Sequence, residues 1–493
     1  MPPTTYLNTP YAYTRTPGLF RNLFDSGYSR VIRFAELGDS QATTPGGYGE
    51  PWSFGFNKAL AEFYGVAPET CLNTGGNFGA FGTAHSVQGK WGMAGRNAIS
   101  PGASTTASTE ILPATGVQCV NTTANYQSGQ LAIFLMNNIS APTPLYRNSN
   151  YFDYSAGVRL KTYAFTRSGA SPITIGSAYN STHAHSFTLS DFQTAIDFGQ
   201  NNAALSVVTH TSNLMTAPTS SQYLQVGYKL TSGSGLVEIY GARFLMEGVT
   251  YGAVHDAFGF GGIGAQAYLT AYSGCGKMFK GTGPYHCGIL SFGANDMTTR
   301  SQSQFKGDIQ ALINFMRTSV GDPNFPVIVI TDYQRKITVG ADRTRYESYP
   351  LAAWELANEQ DGVMAINLQR LTYAMGWTAA EMDFTGLTSR AAWSSASVAY
   401  AVNDYVTIDA FPGATGVTTR GVFYYKCVSA HTSSVSNGPV DSQYWVPISR
   451  LSPVTDGVHC TNYSGEPLAK STLSAILGEA YRTTPNNNRP FAR

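Results

Sequence analysis

Short apolar runs separated by helix-length stretches mark both ends of this chain, and no other feature narrows its fold so far. Ser29 to Leu37 (SRVIRFAEL), Val249 to Val254, His286 to Phe292, Phe325 to Thr331 (FPVIVIT) and Val363 to Leu368 each have the length and β-branched content of a buried strand. Phe54 to Tyr64, Ser303 to Val320, Leu351 to Glu359 and Ser464 to Tyr481 place apolar residues at helical spacing between or after them. Apolar strands alternating with helices predict an α/β fold: a five-stranded parallel sheet covered on both faces, an α/β/α sandwich.

Two stretches break this rhythm. From about Cys71 to Glu247 charged residues thin out, and short alternating runs (LAIFLM, GVRLKTYAFTR, SPITIG, AALSVVTH, YLQVGYKL, LVEIYGARFLM) stand between Ser/Thr/Gly/Asn clusters. That spacing predicts an inserted β-sandwich domain. From about Ala391 to Ile448 the chain is aromatic-rich and nearly free of helix signals, which predicts a small inserted β module. The expected organisation is therefore a first catalytic part over 1–74, the β-sandwich insertion over 75–247, a second catalytic part over 248–388, the small module over 389–449 and a third catalytic part over 450–493. Chain length alone suggests about three domains at ~150 residues each, which suits this division.

Composition limits the partners. Thirty-one basic residues against 30 acidic ones leave a net charge of +1, and charged residues are 12% of the chain. The usual share is about 25%, so a nucleic-acid binder, which needs a basic patch, is not expected. No apolar run approaches the ~18 residues of a membrane span, and the polar stretch from Met1 to Arg15 has no secretory-signal pattern. With 51 Gly and 30 Tyr, the low-charge balance suits an extracellular or virion-associated protein that handles carbohydrate. The six cysteines are too scattered for a disulfide scaffold; Cys275 and Cys287 bracket a Gly-rich loop and are either a pair or two free thiols.

Three short patterns carry chemistry: Gly38-Asp39-Ser40-Gln41, Gly293-Ala294-Asn295-Asp296 and Asp456-Gly457-Val458-His459. The first two directly follow predicted strands, where open α/β sheets place their sites, and the third precedes the last helix. Ser40 at a strand-to-helix turn exposes a hydroxyl, and its own N–H can face a developing oxyanion. A hydroxyl needs a base to act as a nucleophile, and His459 is the candidate. Asp456 can fix the imidazole tautomer and stabilise the imidazolium. Asn295 offers a side-chain N–H, and the turn GFGGIGA offers a backbone one. Taken singly, Asp39 reads as a turn residue, Asn295 as an Asx turn and His459 as a surface histidine. Together, in order and at element ends, they read as a site.

In these blocks the chain resembles the SGNH hydrolases, the GDSL esterase/lipase family. Gly38 to Ser40 matches its first block, with Ser40 as nucleophile; Gly293 to Asp296 matches its third, with Asn295 as oxyanion donor; Asp456 to His459 matches its fifth. The second block supplies a backbone Gly, and GFGGIGA gives two registers, ending at Gly262 or at Gly264. The separation of the first and second blocks is far longer than the family's usual one, which fits an inserted domain. The resemblance covers about half the chain and implies an SGNH-like fold and ester hydrolysis with no metal and no other cofactor. No GxSxG elbow and no HExxH are present. His183 and His185 lack a third ligand and read as solvated strand residues, and the glycines of FGFGGIGA lack the dinucleotide-binding frame.

The aromatic segment resembles the small chitin-binding-type carbohydrate-binding modules, through Trp393, Tyr400, Asn403-Asp404-Tyr405-Val406, Phe423 to Cys427, Ala430 to Ser433 and Tyr444-Trp445. Trp393, Tyr425 and Trp445 are the candidates for exposed rings that stack on sugars, while Tyr400 and Val406 are expected inside. The expected function is a serine esterase removing O-acyl, above all O-acetyl, groups from an acylated carbohydrate or polysaccharide. The alternatives are a general esterase or lipase, and a phage or cell-surface carbohydrate-binding protein on an SGNH scaffold.

Overall fold

The computed structural model describes residues 5–39, 42, 50–69, 73–74, 117–119, 133–136, 156–166, 173–180, 192–196, 208–216, 223–230, 237–259, 262–272, 279, 281–333, 340–375, 392–409, 422–439, 443–447 and 462–482. Its centre is a six-stranded sheet. In chain order the strands are β1 (Ala12–Thr14), β2 (Val31–Gly38), β3 (Gly252–Gly259), β4 (Cys287–Phe292), β5 (Val327–Thr331) and β6 (Val363–Asn367). They lie in the order β1-β6-β5-β4-β2-β3. Strands β2 to β6 are parallel, and β1 is antiparallel to β6 at one edge.

Alternation along the strands covers both faces. Leu37, Leu290, Phe292, Val327, Val329 and Val363 face one core, which holds Phe305, Ile309, Leu312 and Leu356. Those four come from α4 (Gln302–Val320) and α5 (Ala341–Glu359), which follow α3 (Ala265–Tyr272). Ile32, Phe34, Ile289, Ile328, Ile330 and Met364 face the other core, with Phe20, Phe56, Leu60 and Leu473. These belong to α1 (Pro17–Ser26), α2 (Glu50–Tyr64) and α7 (Asn462–Ala480); α6 (Leu368–Ala374) follows β6. Burial on both faces is why the strands read as unbroken apolar runs.

Local chemistry sets the helix ends. Ser301 and Gln304 form a capping box at the start of α4, and Gly321, at φ 81°, ends it. Helix α5 starts ten residues before the predicted Leu351, because Pro350 lies inside it rather than at its start. A proline cannot donate to the carbonyl of Tyr346, one turn earlier. The Gln369 side chain does so instead, Nε2 to O at 2.9 Å, so the helix runs through without an orphaned acceptor.

Strand β3 runs five residues past the predicted Val254. Its polar residues His255 and Asp256 are buried, and each has a buried partner: His255 Nε2 lies 2.6 Å from Glu36 Oε2, and Arg243 Nη2 lies 2.7 Å from Asp256 Oδ2.

Between residues 73 and 246 the chain forms two antiparallel sheets. One orders Ile133–Met136, Tyr223–Leu230, Ile173–Asn180 and Phe192–Ile196; the other orders Asn73–Thr74, Val237–Met246, Val158–Thr166 and Val208–Thr211, with Val117–Cys119 also on Val237–Met246. Between residues 399 and 447 are a two-stranded and a three-stranded antiparallel sheet. Cys287 is a free thiol buried in β4, so it is not half of a disulfide; Cys275 lies outside the described residues. Among the described residues no helix is long and apolar enough to cross a membrane.

Candidate active site

The C-terminal ends of three adjacent strands meet here, two of them at glycines. Gly38 of β2 is in register with Gly259 of β3 and Ser291 of β4. A Cβ on Gly38 would stand 2.5 Å from Ala42 Cβ and 2.7 Å from Ser291 O, and one on Gly259 would stand 2.7 Å from Asp39 O. Only glycine lets the chain leave β2 this close to its neighbours. Beyond Gly38, Asp39 is buried; its N–H donates to Ser291 O at 3.3 Å, and its C=O accepts from Ala42 N–H at 3.1 Å.

After β4, Gly293 takes φ 144° and swings the chain across the sheet end. The Ala294 N–H donates to Asp332 Oδ2 at 3.1 Å, beyond the end of β5. Asn295 is half-buried, and its Nδ2 donates to Asp39 Oδ2 at 3.2 Å and to Ile263 O at 3.3 Å. The Gly38–Gln41 and Gly293–Asp296 motifs and the Gly-rich turn thus touch through one amide. Next, buried Asp296 accepts the Ala265 N–H on Oδ1 at 2.8 Å, at the start of α3. Burial pushes its carboxyl up to about 7; Asp308 and Asp332 push the same way, while the Ala265 N–H and Arg300 pull it down.

The two candidate glycines differ. Gly264 lies against Asp296, where a Cβ would stand 2.5 Å from Oδ1. Gly262 has φ 77°, is exposed, and has open space where a side chain would start. The Ile263 C=O points at the Asn295 amide, and a trans peptide sets C=O and N–H on opposite edges, so the Gly264 N–H faces away from that amide.

Ser40, Asp456 and His459 lie outside the described residues, as do His183 and His185. Among the described residues no group of three or more His, Cys, Asp or Glu side chains stands close enough to hold a metal ion.

In the small module, Trp445 corrects the expectation of exposure. It is 1% exposed, packs with Val406 and Cys427, meets Tyr400 edge-on at 5.0 Å and donates its Nε1 hydrogen to Asn437 O at 3.1 Å. A β segment this small buries little surface, and one large aromatic ring supplies much of what its core needs. Trp393 and Tyr425 are partly exposed at its margin, and Tyr400, expected inside, is also only partly buried.

Sequence reasoning passed over Asp296, the Glu36–His255 contact and Arg243. Asp296 stood inside a recognised motif. The other two carried no local signal, because their partners are distant in the chain.

No protein-family model and no curated protein matches this chain. Among solved structures, a peptidoglycan O-acetylesterase is 12% identical, with 77% of this chain and 92% of that chain covered at a TM-score of 0.46. A family two carbohydrate esterase from Clostridium thermocellum is 10% identical over 50% of this chain and 82% of its own, at a TM-score of 0.21. One from Cellvibrio japonicus is 12% identical over 54% and 85%, at 0.19. At these TM-scores the likenesses carry no weight for substrate or mechanism. The chain itself is a mixed α/β protein with a mostly parallel sheet and additional small antiparallel sheets.

Proposed function

We propose that the chain is an SGNH-type serine esterase that removes O-acetyl groups from a polysaccharide outside the cell or at a virion surface. The supporting observation is the Asn295 amide, held 3.2 Å from Asp39 Oδ2 and 3.3 Å from Ile263 O. It links Asp39 after β2, Asn295 after β4 and Ile263 of the Gly-rich turn, at the strand ends where an open α/β sheet presents its chemistry.

In this reading His459 takes the Ser40 proton as Ser40 attacks the ester carbonyl, and Asp456 orients the imidazole. The oxyanion takes the Ser40 N–H, the Gly262 N–H and an Asn295 amide hydrogen. Gly262 is preferred to Gly264 because the Gly264 N–H faces away from Asn295. The oxyanion displaces the longer Asn295 bond, the one to Ile263 O. His459 then protonates the departing sugar alkoxide, and water activated by His459 releases acetate from Ser40.

The protein should release acetate from at least one member of a panel of acetylated polysaccharides. Ser40→Ala should abolish hydrolysis of p-nitrophenyl acetate without loss of fold, and Asn295→Ala should lower kcat by about 10²–10³. Full activity in Ser40→Ala would remove the proposed nucleophile.

A further inference from the structure

Asn295 and Asp296 are consecutive, and each holds a different part of the same short turn. Asn295 binds the Ile263 C=O, and Asp296 Oδ1 binds the Ala265 N–H at 2.8 Å. Between them Gly264 has no side chain, and a Cβ there would collide with Asp296 Oδ1. Asp296 is 2% exposed, and among the described residues its Oδ2 accepts no hydrogen bond. An unpaired buried carboxyl oxygen costs free energy that an apolar side chain would avoid. Such a cost in a well-packed protein calls for a reason at that position.

We propose that Asp296 is a positioning residue that pins the Gly262–Ala265 turn beside Asn295, and so aims the backbone donor at the oxyanion; the proposal rests on the esterase reading. Asp296 holds one end of the turn throughout, also when Asn295 gives up the Ile263 C=O to bind the oxyanion, so that Gly262 keeps its φ of 77° and its place.

The pin is sensitive to charge. The groups facing Asp296 are the Ala265 N–H from α3, Arg300 from the loop before α4, Asp308 from α4, Asp332 from the end of β5 and Tyr349 from α5. With its carboxyl pushed up to about 7, Asp296 changes charge in the neutral range. Ionised, it stands at the positive end of α3 and binds the Ala265 N–H more strongly. The linkage has the opposite sign for folding. The native carboxyl, at about 7, holds a proton over a range where the ordinary value of 3.8 has lost it. Its contribution to stability is full at low pH and is lost as pH rises through that window.

Asp296→Ala removes the acceptor; Asp296→Asn keeps an acceptor oxygen and cannot ionise. On p-nitrophenyl acetate, Asp296→Ala should lose about ten- to a hundredfold in kcat with KM little changed, the scale of a misplaced donor. Asp296→Asn should recover most of that loss. Stability should separate too: from pH 4 to 7 the wild type should lose ground steadily against Asp296→Asn in urea. Wild-type kcat in Asp296→Ala, or equal loss in both variants, overturns the proposal. If instead Ser40→Ala keeps full activity, the esterase reading has failed, and amide exchange still tests the pin. The Ala265 N–H should be protected in the wild type and in Asp296→Asn, and fast in Asp296→Ala. Equal exchange in all three would end it.

Discussion

Gly38 shows how little room one residue has at this site. Its neighbours are backbone and a short side chain, Ser291 O and Ala42 Cβ, and neither can swing aside as a long side chain would. A methyl group there must push β2 from β4 or displace the turn that follows, and overpacking of this kind costs about 1–3 kcal/mol. Gly38→Ala should therefore lower the urea midpoint by that order, and should also disturb Asp39, whose N–H bonds Ser291 O from the next position. Unchanged stability in Gly38→Ala would mean that the strand ends are looser than their spacing indicates. The same confinement explains the motif: the residue before Asp39 is glycine because β4 and the turn that follows leave it no volume.

At the scale of elements, the joint between the strand Val237–Met246 and the parallel sheet is ionic. Arg243, on the strand Val237–Met246, is fully buried beside Asp256 of β3, and its Nη1 lies 3.5 Å from Glu69 Oε2. Glu69 in turn binds Arg33 of β2 at 2.6 Å, and Tyr285 donates to Asp256 Oδ2 at 2.8 Å. Burial opposes the Arg243 charge, but Asp256 and its other partners outweigh burial and hold the guanidinium protonated. Removing one side of such a buried pair leaves an uncompensated charge, at about 3–5 kcal/mol. Arg243→Met should cost that much by chemical denaturation, and Arg243→Met with Asp256→Leu should recover part of it. A double variant no better than the single one would show that packing, not charge, makes the joint. This joint also marks the limit of what the sequence could convey. FPVIVIT and its like announced the strands because burial on two faces leaves only apolar residues. By contrast β3 looked finished at Val254, since His255 and Asp256 become apolar in effect only through Glu36 and Arg243, residues remote in the chain. The helix read from Leu351 begins at Ala341 because Gln369, remote in sequence, supplies the donor that Pro350 lacks. At the site, the motifs named Asn295 from residue type alone, while the grip of Asp296 on Ala265 exists only once the turn is folded.

For the whole molecule, the order of elements bears on whether the segment 399–447 would serve the proposed reaction. The strands of that segment lie in the chain between α6, after β6, and α7. β6 is three positions from β2 in the sheet, roughly 14 Å at ~4.8 Å per strand. Both strands end on the same rim, because they are parallel, so chain leaving β6 starts on the side of the sheet where Ser40 follows β2. A sugar-binding surface there would raise the local concentration of a polymer around the nucleophile without touching the chemistry. With Trp445 committed to the module's core, Trp393 and Tyr425 carry the expectation of sugar stacking. Replacing Ala391 to Ile448 by a short Gly/Ser linker should therefore leave turnover of a small soluble acetate ester close to wild type. The same change should sharply weaken turnover of an acetylated polymer and binding to it. Trp393→Ala and Tyr425→Ala should reproduce the polymer defect in part, whereas Trp445→Ala should unfold the module, as loss of a buried Trp typically costs about 3–5 kcal/mol. Equal loss on polymer and small ester after the deletion would make the module a structural support, and a general esterase would then describe the chain better than a polysaccharide deacetylase.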